Sequence, residues 1–293
     1  MSARIRASVL RGLVCLLSAA ATSVAQDLKV TSVAEGTDRV IKVENAFLCP
    51  ITFSLTANLT NMESSKPFPV ALEIPAGKTV EICRFKVIDP SVKTDWRHNW
   101  NYRLGSVESK HDDSIVYALP YPPGKTYRVS QGFFGAFSHT GEFCHSIDWS
   151  MPIGSQVTAA RAGEVVRLKS DSDEGGPDRK FFKRSNYVIV EHDDGTLGEY
   201  QHLRKDGVLV KLGQRVGVGD PIGLSGNTGF SSQPHLHFHV CVPMNSKDFR
   251  SIPIKFQTAS DSAVELKQGM KYTRPNPAAT GGADGGTGQT KEK

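Results

Sequence analysis

Seven residues, Pro234-His235-Leu236-His237-Phe238-His239-Val240, constrain the fold of this chain more than any other segment. Three histidines alternate with apolar residues. On a β-strand, successive side chains point to opposite faces. The spacing therefore predicts a strand with His235, His237 and His239 on one face and Leu236, Phe238 and Val240 packed into a core on the other. A helix would scatter the imidazoles around its circumference. Imidazole is the commonest metal ligand and the usual proton carrier near neutral pH. Such a strand is a candidate metal site with a proton-transfer group beside it. A lone His-x-His pair fits a solvated sheet face equally well, so the rest of the chain must decide.

The 293 residues suffice for one large domain or two ordinary ones. With 27 glycines, 16 prolines and 39% hydrophobic residues, the composition predicts a turn-rich all-β protein with a real core. Val40-Ile41-Lys42-Val43, Ile51 to Thr56, Thr79 to Cys83 and Asn99 to Leu104 read as strands separated by turn formers. They predict an N-terminal β-sandwich-like domain over residues 26–115. It carries no catalytic cluster, and His98 and His111 read as surface or structural. A charged, then Pro/Gly-rich connector (Lys110 to Asp113, Pro120 to Gly124) leads to a second β domain over residues 116–260. Within it, Asp193-Asp194-Gly195-Thr196 reads as a hairpin turn, and residues 169–184 as a long polar loop. Residues 274–293 lack an apolar pattern and read as a disordered tail. There is no internal repeat.

Residues 1–25 read as a signal peptide. Arg4, Arg6 and Arg11 precede an apolar run from Gly12 to Thr22 that is too short to cross a bilayer, and Ser23-Val24-Ala25 is a small-x-small cleavage pattern. The expectation is export to a periplasmic or extracellular location, with no stable membrane insertion after cleavage. Losing those three arginines leaves 32 basic against 30 acidic residues, a net charge of +2. That balance excludes a nucleic-acid-binding surface. Cys49, Cys83, Cys144 and Cys241 remain, and an even number in an exported chain suggests disulfides. Of three connectivities, Cys49–Cys83 and Cys144–Cys241 keep each bridge within one domain.

A catalytic zinc needs three protein ligands and an open position. The helical His-Glu-x-x-His motif is absent, and the available donors are His139, His145, Asp148, His202 and the strand histidines. Their ordered context is Phe137-Ser138-His139, Ser146-Ile147-Asp148-Trp149-Ser150-Met151-Pro152-Ile153-Gly154, Ala159 to Val166, Asn186 to Thr196, Tyr200-Gln201-His202-Leu203, Gly226-Asn227-Thr228-Gly229 and Pro234-His235-Leu236-His237-Phe238. Over residues 126–257 this order resembles the lysostaphin-type (LytM-like) zinc endopeptidases of peptidoglycan.

The resemblance implies a compact LytM-like β-barrel/sandwich catalytic domain and one Zn2+ cofactor. It implies that Asp148 and His237 bind the metal and that His202 and His235 assist catalysis. The third ligand is read as His139, from a Ser-His pattern upstream, with His145 and Cys144 still open. Most of the family has a histidine four residues before the aspartate, where this chain has Cys144. His239 stands where the family usually has an acidic or amide residue, and reads as a polar residue on the cleft floor. His192 reads as structural, and Asn186 as either a strand cap or a substrate contact. The implied function is an exported, zinc-dependent endopeptidase hydrolysing amide bonds in peptidoglycan peptides. The alternatives are a catalytically inactive relative that binds the wall or regulates another hydrolase, and a carrier or sugar-permease module.

Overall fold

A computed structural model describes residues 28–276. The signal-peptide reading of residues 1–25 and the tail from residue 277 onward lie outside the described residues. Within them the chain is built from β-strands and two short 3-10 helices, Gly141–Phe143 and Arg179–Arg184. No described helix is long and apolar enough to cross a membrane.

The N-terminal region consists of two packed antiparallel sheets. One has the strand order Leu28–Glu35, Asp38–Asn45, Thr79–Val87, Met62–Ser64; the other has Val70–Ile74, Ile51–Thr60, Asp95–Leu104. Alternation explains the pairing. Ile51, Phe53 and Leu55 are fully buried and meet Ile41, Val43, Ile82 and Phe85 of the opposite sheet in one apolar cluster.

The second region is organised by a long antiparallel sheet. Its order is Arg215–Val216, Gly163–Lys169, Asn186–Glu191, Leu197–Val208, His235–Pro243, Ile147–Ser150, Thr126–Gln131, Lys271–Thr273. The sheet is not closed into a barrel among the described residues. Leu236, Phe238 and Val240 enter a core with Trp149, Tyr200, Val188 and Tyr117, as the alternation of the histidine strand predicts. The opposite, imidazole-bearing face is buried as well, so all nine residues of His235–Pro243 are buried.

That second face is buried partly because the N-terminal region packs against this sheet. Val166, Ile189, Leu197, Cys241 and Phe249 belong to the same apolar cluster as the sandwich core. Polar contacts flank the junction. Ser54 Oγ lies 2.5 Å from Ser246 Oγ, and Arg103 Nε donates to Lys247 O at 2.6 Å. The Arg103 guanidinium sits 4.9 Å over the Phe249 ring, and that of Arg167 5.5 Å over Phe47. At the C-terminal end, Arg274 is buried and its Nη1 donates to Tyr121 O and Thr158 Oγ1. The stretch read as a tail thus begins with an anchored residue.

The expected disulfides are not formed; Cys49, Cys83, Cys144 and Cys241 are free thiols. Cys49 and Cys83 serve as packed apolar groups in the shared cluster, and burial pushes the Cys49 thiol up to about 12. Cys144 Sγ lies 3.3 Å from His145 Nδ1, whereas Cys241 Sγ is directed at Glu199 Oε1, 3.9 Å away. The two thiols of the second domain are thus engaged with different neighbours.

Glu191 ends a central strand, opposite Glu164 and Leu197. Burial, reinforced by the charge of Glu164, pushes its carboxyl up to about 7. The folded state therefore holds a proton that the unfolded chain releases at lower pH, and stability falls as pH rises from the ordinary carboxylate range to about 7. Glu191→Gln should stabilise the fold near pH 8 by about 1–2 kcal/mol once solvent screening is discounted, seen as a higher melting temperature. Near pH 4 the variant should gain nothing. Paired thermal melts at the two pH values check this.

Candidate metal centre

Sheet register brings the first two donors together. Ile147–Ser150 pairs antiparallel with His235–Pro243, with Asp148 directly opposite His237. The facing side chains meet at 2.8 Å between Asp148 Oδ1 and His237 Nδ1. Asp148 is buried.

The third donor comes from a loop. His139 is completely buried, and its Nδ1 lies 2.8 Å from the carbonyl of Gly132. A carbonyl only accepts, so Nδ1 carries the proton and Nε2 presents a bare lone pair in the neutral ring. That Nε2 lies 3.2 Å from Asp148 Oδ1 and has no hydrogen-bond partner. A lone pair facing a carboxylate oxygen at this distance is repulsive unless a cation sits between them. His139, Asp148 and His237 offer donor atoms that all lie within 4.8 Å of one another. Two imidazole nitrogens and one carboxylate oxygen form a donor set suited to a divalent transition metal.

Gln131, which the sequence did not single out, ties this corner together. Its Nε2 donates to Asp148 Oδ2 at 3.2 Å and to Ser138 Oγ at 2.8 Å, and its Oε1 accepts from the Phe137 and Ser138 amides. One buried carboxamide thus orients the aspartate and the loop carrying His139.

His202 reaches the site by a backbone irregularity. Tyr200 points into the apolar core, where its hydroxyl accepts the Ala160 amide, and strict alternation would send His202 the same way. Instead the register slips. Gln201 pairs with Tyr187 and Leu203 with Asn186, leaving His202 as the extra residue of a bulge with φ of 63°. Its amide donates to Ser185 Oγ, and its Nδ1 to Thr228 O at 2.7 Å. The next residue, Gly229, has φ of 81°, and any Cβ there would come within 2.7 Å of Ser185. The bulge swings the imidazole to within 4.5 Å of the His235 ring. Burial pushes His202 well below the ordinary imidazole value, and His235 and His237 act in the same direction, so His202 is neutral at physiological pH.

His235 Nδ1 donates to Gln233 O at 2.8 Å, which leaves Nε2 facing the centre, 3.8 Å from Asp148 Oδ1. Five of the predicted residues, His139, Asp148, His202, His235 and His237, thus converge. The two alternatives for the third ligand do not. His145 donates from Nδ1 to Ser251 O and its ring packs between Phe133 and Phe134, with Cys144 beside it. His239 is fully buried behind His237 rather than lining the cleft. His192 pairs with Thr196 Oγ1, and burial lowers it to about 3. Asn186 laces Ser172 to Leu203 through its carboxamide.

The centre opens into a groove of about 550 Å³. Phe137 stacks on Phe230 at one wall, with ring centroids 5.9 Å apart, and Phe143 meets Phe182 edge-on at the other. Asp148 and Arg179 are the lining Asp, Glu, Lys or Arg side chains.

Residues 142–249 match the family described as Peptidase family M23. This stretch of the chain is similar to that family. The match contains Asp148, His202, His235 and His237, and His139 lies three positions before it. Over 126 residues the chain is 35% identical to an uncharacterized metalloprotease of Buchnera aphidicola, covering 42% of this chain and 30% of the relative. It is 35% identical over 150 residues to the peptidoglycan DD-endopeptidase ShyA of Vibrio cholerae, covering 48% and 32%. It is 33% identical over 116 residues to lysostaphin of Staphylococcus staphylolyticus, covering 40% and 22%. The chain spans about a third or less of the length of these relatives.

His139→Ala and His237→Ala should each lose bound metal, whereas His145→Ala should retain it. Elemental analysis of the purified variants checks this. Metal lost from a folded His145→Ala protein and kept by His139→Ala would transfer the ligand role.

Proposed function

We propose that this chain is an exported zinc-dependent endopeptidase that hydrolyses amide bonds in bacterial peptidoglycan peptides. The observation that carries this reading is the bare, buried Nε2 of His139, aimed at the Asp148–His237 pair and flanked by two more imidazoles at one end of a groove. His139 Nε2, Asp148 Oδ1 and His237 Nδ1 would hold zinc, whose preference for three protein ligands and one open position matches this donor count. Bound there, zinc supplies Lewis acidity, which activates water near neutral pH and polarises a carbonyl.

The remaining chemistry belongs to the chain. His202 and His235 each surrender Nδ1 to a backbone carbonyl, which fixes Nε2 as the atom that takes up or releases a proton. His202, kept neutral by burial, has its Nε2 lone pair available as a base. Once protonated, either ring can donate to the oxygen that gains charge as the amide is attacked, or to the departing amine. The buried floor and aromatic walls limit water around these charges. The signal-peptide reading of residues 1–25 supports export, to where wall is found. The relatives described as peptidoglycan endopeptidases support the substrate class. With Asp148 committed to the metal, Arg179 suits a groove that takes a peptide bearing a free carboxylate.

Purified wall incubated with the protein should yield new amino termini, and a chelator should abolish them. New reducing sugar ends instead would overturn the reading in favour of a glycosidase. Wall retained without cleavage would favour a non-catalytic wall-binding protein. His202→Ala and His235→Ala should lose activity and keep most of the zinc. Arg179→Gln should raise KM about 2–5-fold for a carboxylate-bearing peptide and leave its carboxamide analogue unaffected, the size expected of an exposed ion pair.

A further inference from the structure

Behind the metal centre lies a second cluster, built on the buried His239 and the half-buried Glu199, that the reaction itself does not use. Glu199 stands opposite His239 in the antiparallel pairing of Leu197–Val208 with His235–Pro243, and Gln201 stands opposite His237. His237 Nε2 lies 3.1 Å from His239 Nδ1. His239 is completely buried, stacked on Phe249 and edge-on to Phe143. Its Nε2 has no hydrogen-bond partner and lies 3.8 Å from Glu199 Oε2. Gln201 Nε2 holds that same carboxylate oxygen at 3.0 Å.

We propose that Glu199 and His239 are positioning residues that fix the tautomer and orientation of His237, forming an arm Glu199–His239–His237 that ends at the metal position. The inference rests on the metal reading of the site. Its logic is the direction of the protons. The nitrogen of His237 that faces His139 and Asp148 is Nδ1. A neutral ring that ligates through Nδ1 carries its proton on Nε2 and donates it to His239 Nδ1. His239 Nδ1 then accepts, so the His239 proton sits on Nε2, and the anionic acceptor nearest to it is Glu199. The 3.8 Å gap is about 1 Å longer than a hydrogen bond, so a small shift of the Glu199 carboxylate completes the arm. Partners of this kind hold the ligating ring in place and raise its basicity.

The same cluster has a rival reading. Glu199, His239 and Cys241 offer donor atoms within 4.8 Å of one another, as a metal site would. A metal on His239 Nε2 would place the His239 proton on Nδ1. That proton would be donated to His237 Nε2, forcing the His237 proton onto Nδ1, the atom needed by the first metal. The two neutral-ring arrangements exclude each other, and filling the His139–Asp148–His237 site selects the positioning arm.

The test is zinc affinity of the full chain, measured by competition with a chromophoric chelator. His239→Leu should weaken zinc binding about 10–100-fold, because the His237 Nε2 proton loses its acceptor. His239→Gln, whose carboxamide oxygen can accept the same proton, should stay within about threefold of wild type. Glu199→Gln should weaken binding by an intermediate factor, and Cys241→Ser should leave affinity and a one-zinc stoichiometry unchanged. Wild-type affinity in both His239→Leu and Glu199→Gln would overturn the arm. So would an equal loss in His239→Leu and His239→Gln, which would mark a packing role alone. If His239→Leu fails to fold, Glu199→Gln and His239→Gln still decide by affinity. A second zinc that disappears in Cys241→Ser would establish the rival site. A protein that binds zinc as described but cuts no wall would fail the proposed function and leave this inference standing. A folded protein that binds no zinc would overturn both.

Discussion

The cross-strand pair of Asp148 and His237 is the contact on which the centre depends. Antiparallel register sets the two side chains opposite each other, and their 2.8 Å contact is a consequence of backbone pairing rather than of flexible side-chain search. Everything else is placed relative to that pair. Gln131 grips the other carboxylate oxygen, the loop held by Gln131 delivers His139, and the bulge at His202 turns a fourth imidazole inward. A slip of one residue in the register would send Asp148 or His237 into the apolar core. The site and the sheet are therefore specified by the same hydrogen bonds.

Burial of this polar face is costly in isolation, and the fold manages it by giving most ring nitrogens a defined role. Backbone carbonyls of Gly132, Thr228 and Gln233 take the Nδ1 protons of His139, His202 and His235. On this face, the fully buried nitrogens without a hydrogen-bond partner among the described residues, His139 Nε2 and His239 Nε2, point toward the metal position and toward Glu199 respectively. The N-terminal sandwich contributes to the enclosure. Its core is continuous with Leu197, Cys241 and Phe249, and Phe249 in turn stacks on His239. A domain without donors to the centre still shapes the dielectric behind it.

Much of this was legible from residue order. The period of two in residues 235–240 places Leu236, Phe238 and Val240 in the core and the histidines on the opposite face, and the alternation in Ile51 to Leu55 similarly marks a sandwich strand. The spaced pattern from His139 to His237 marked the residues that converge. His202 was reachable only through the resemblance, because alternation from Tyr200 sends it into the core and a bulge is invisible to periodicity. Gln131 and Glu199 were not singled out, since a glutamine and a glutamate on strands carry no spacing signal. The disulfide expectation followed from cysteine parity, which counts residues without seeing that Cys144 and Cys241 have different neighbours.

The sequence by itself determined the β architecture, the face on which the strand histidines lie and the set of candidate donors, because strand periodicity and residue chemistry are local properties. The tertiary structure alone decided that His139 rather than His145 faces Asp148, that His202 leaves the core, and that Glu199 stands behind His239. Those outcomes depend on loop closure, on one extra residue in a ladder and on the register between strands distant in sequence. Each is a long-range choice settled by which buried polar atoms can find partners.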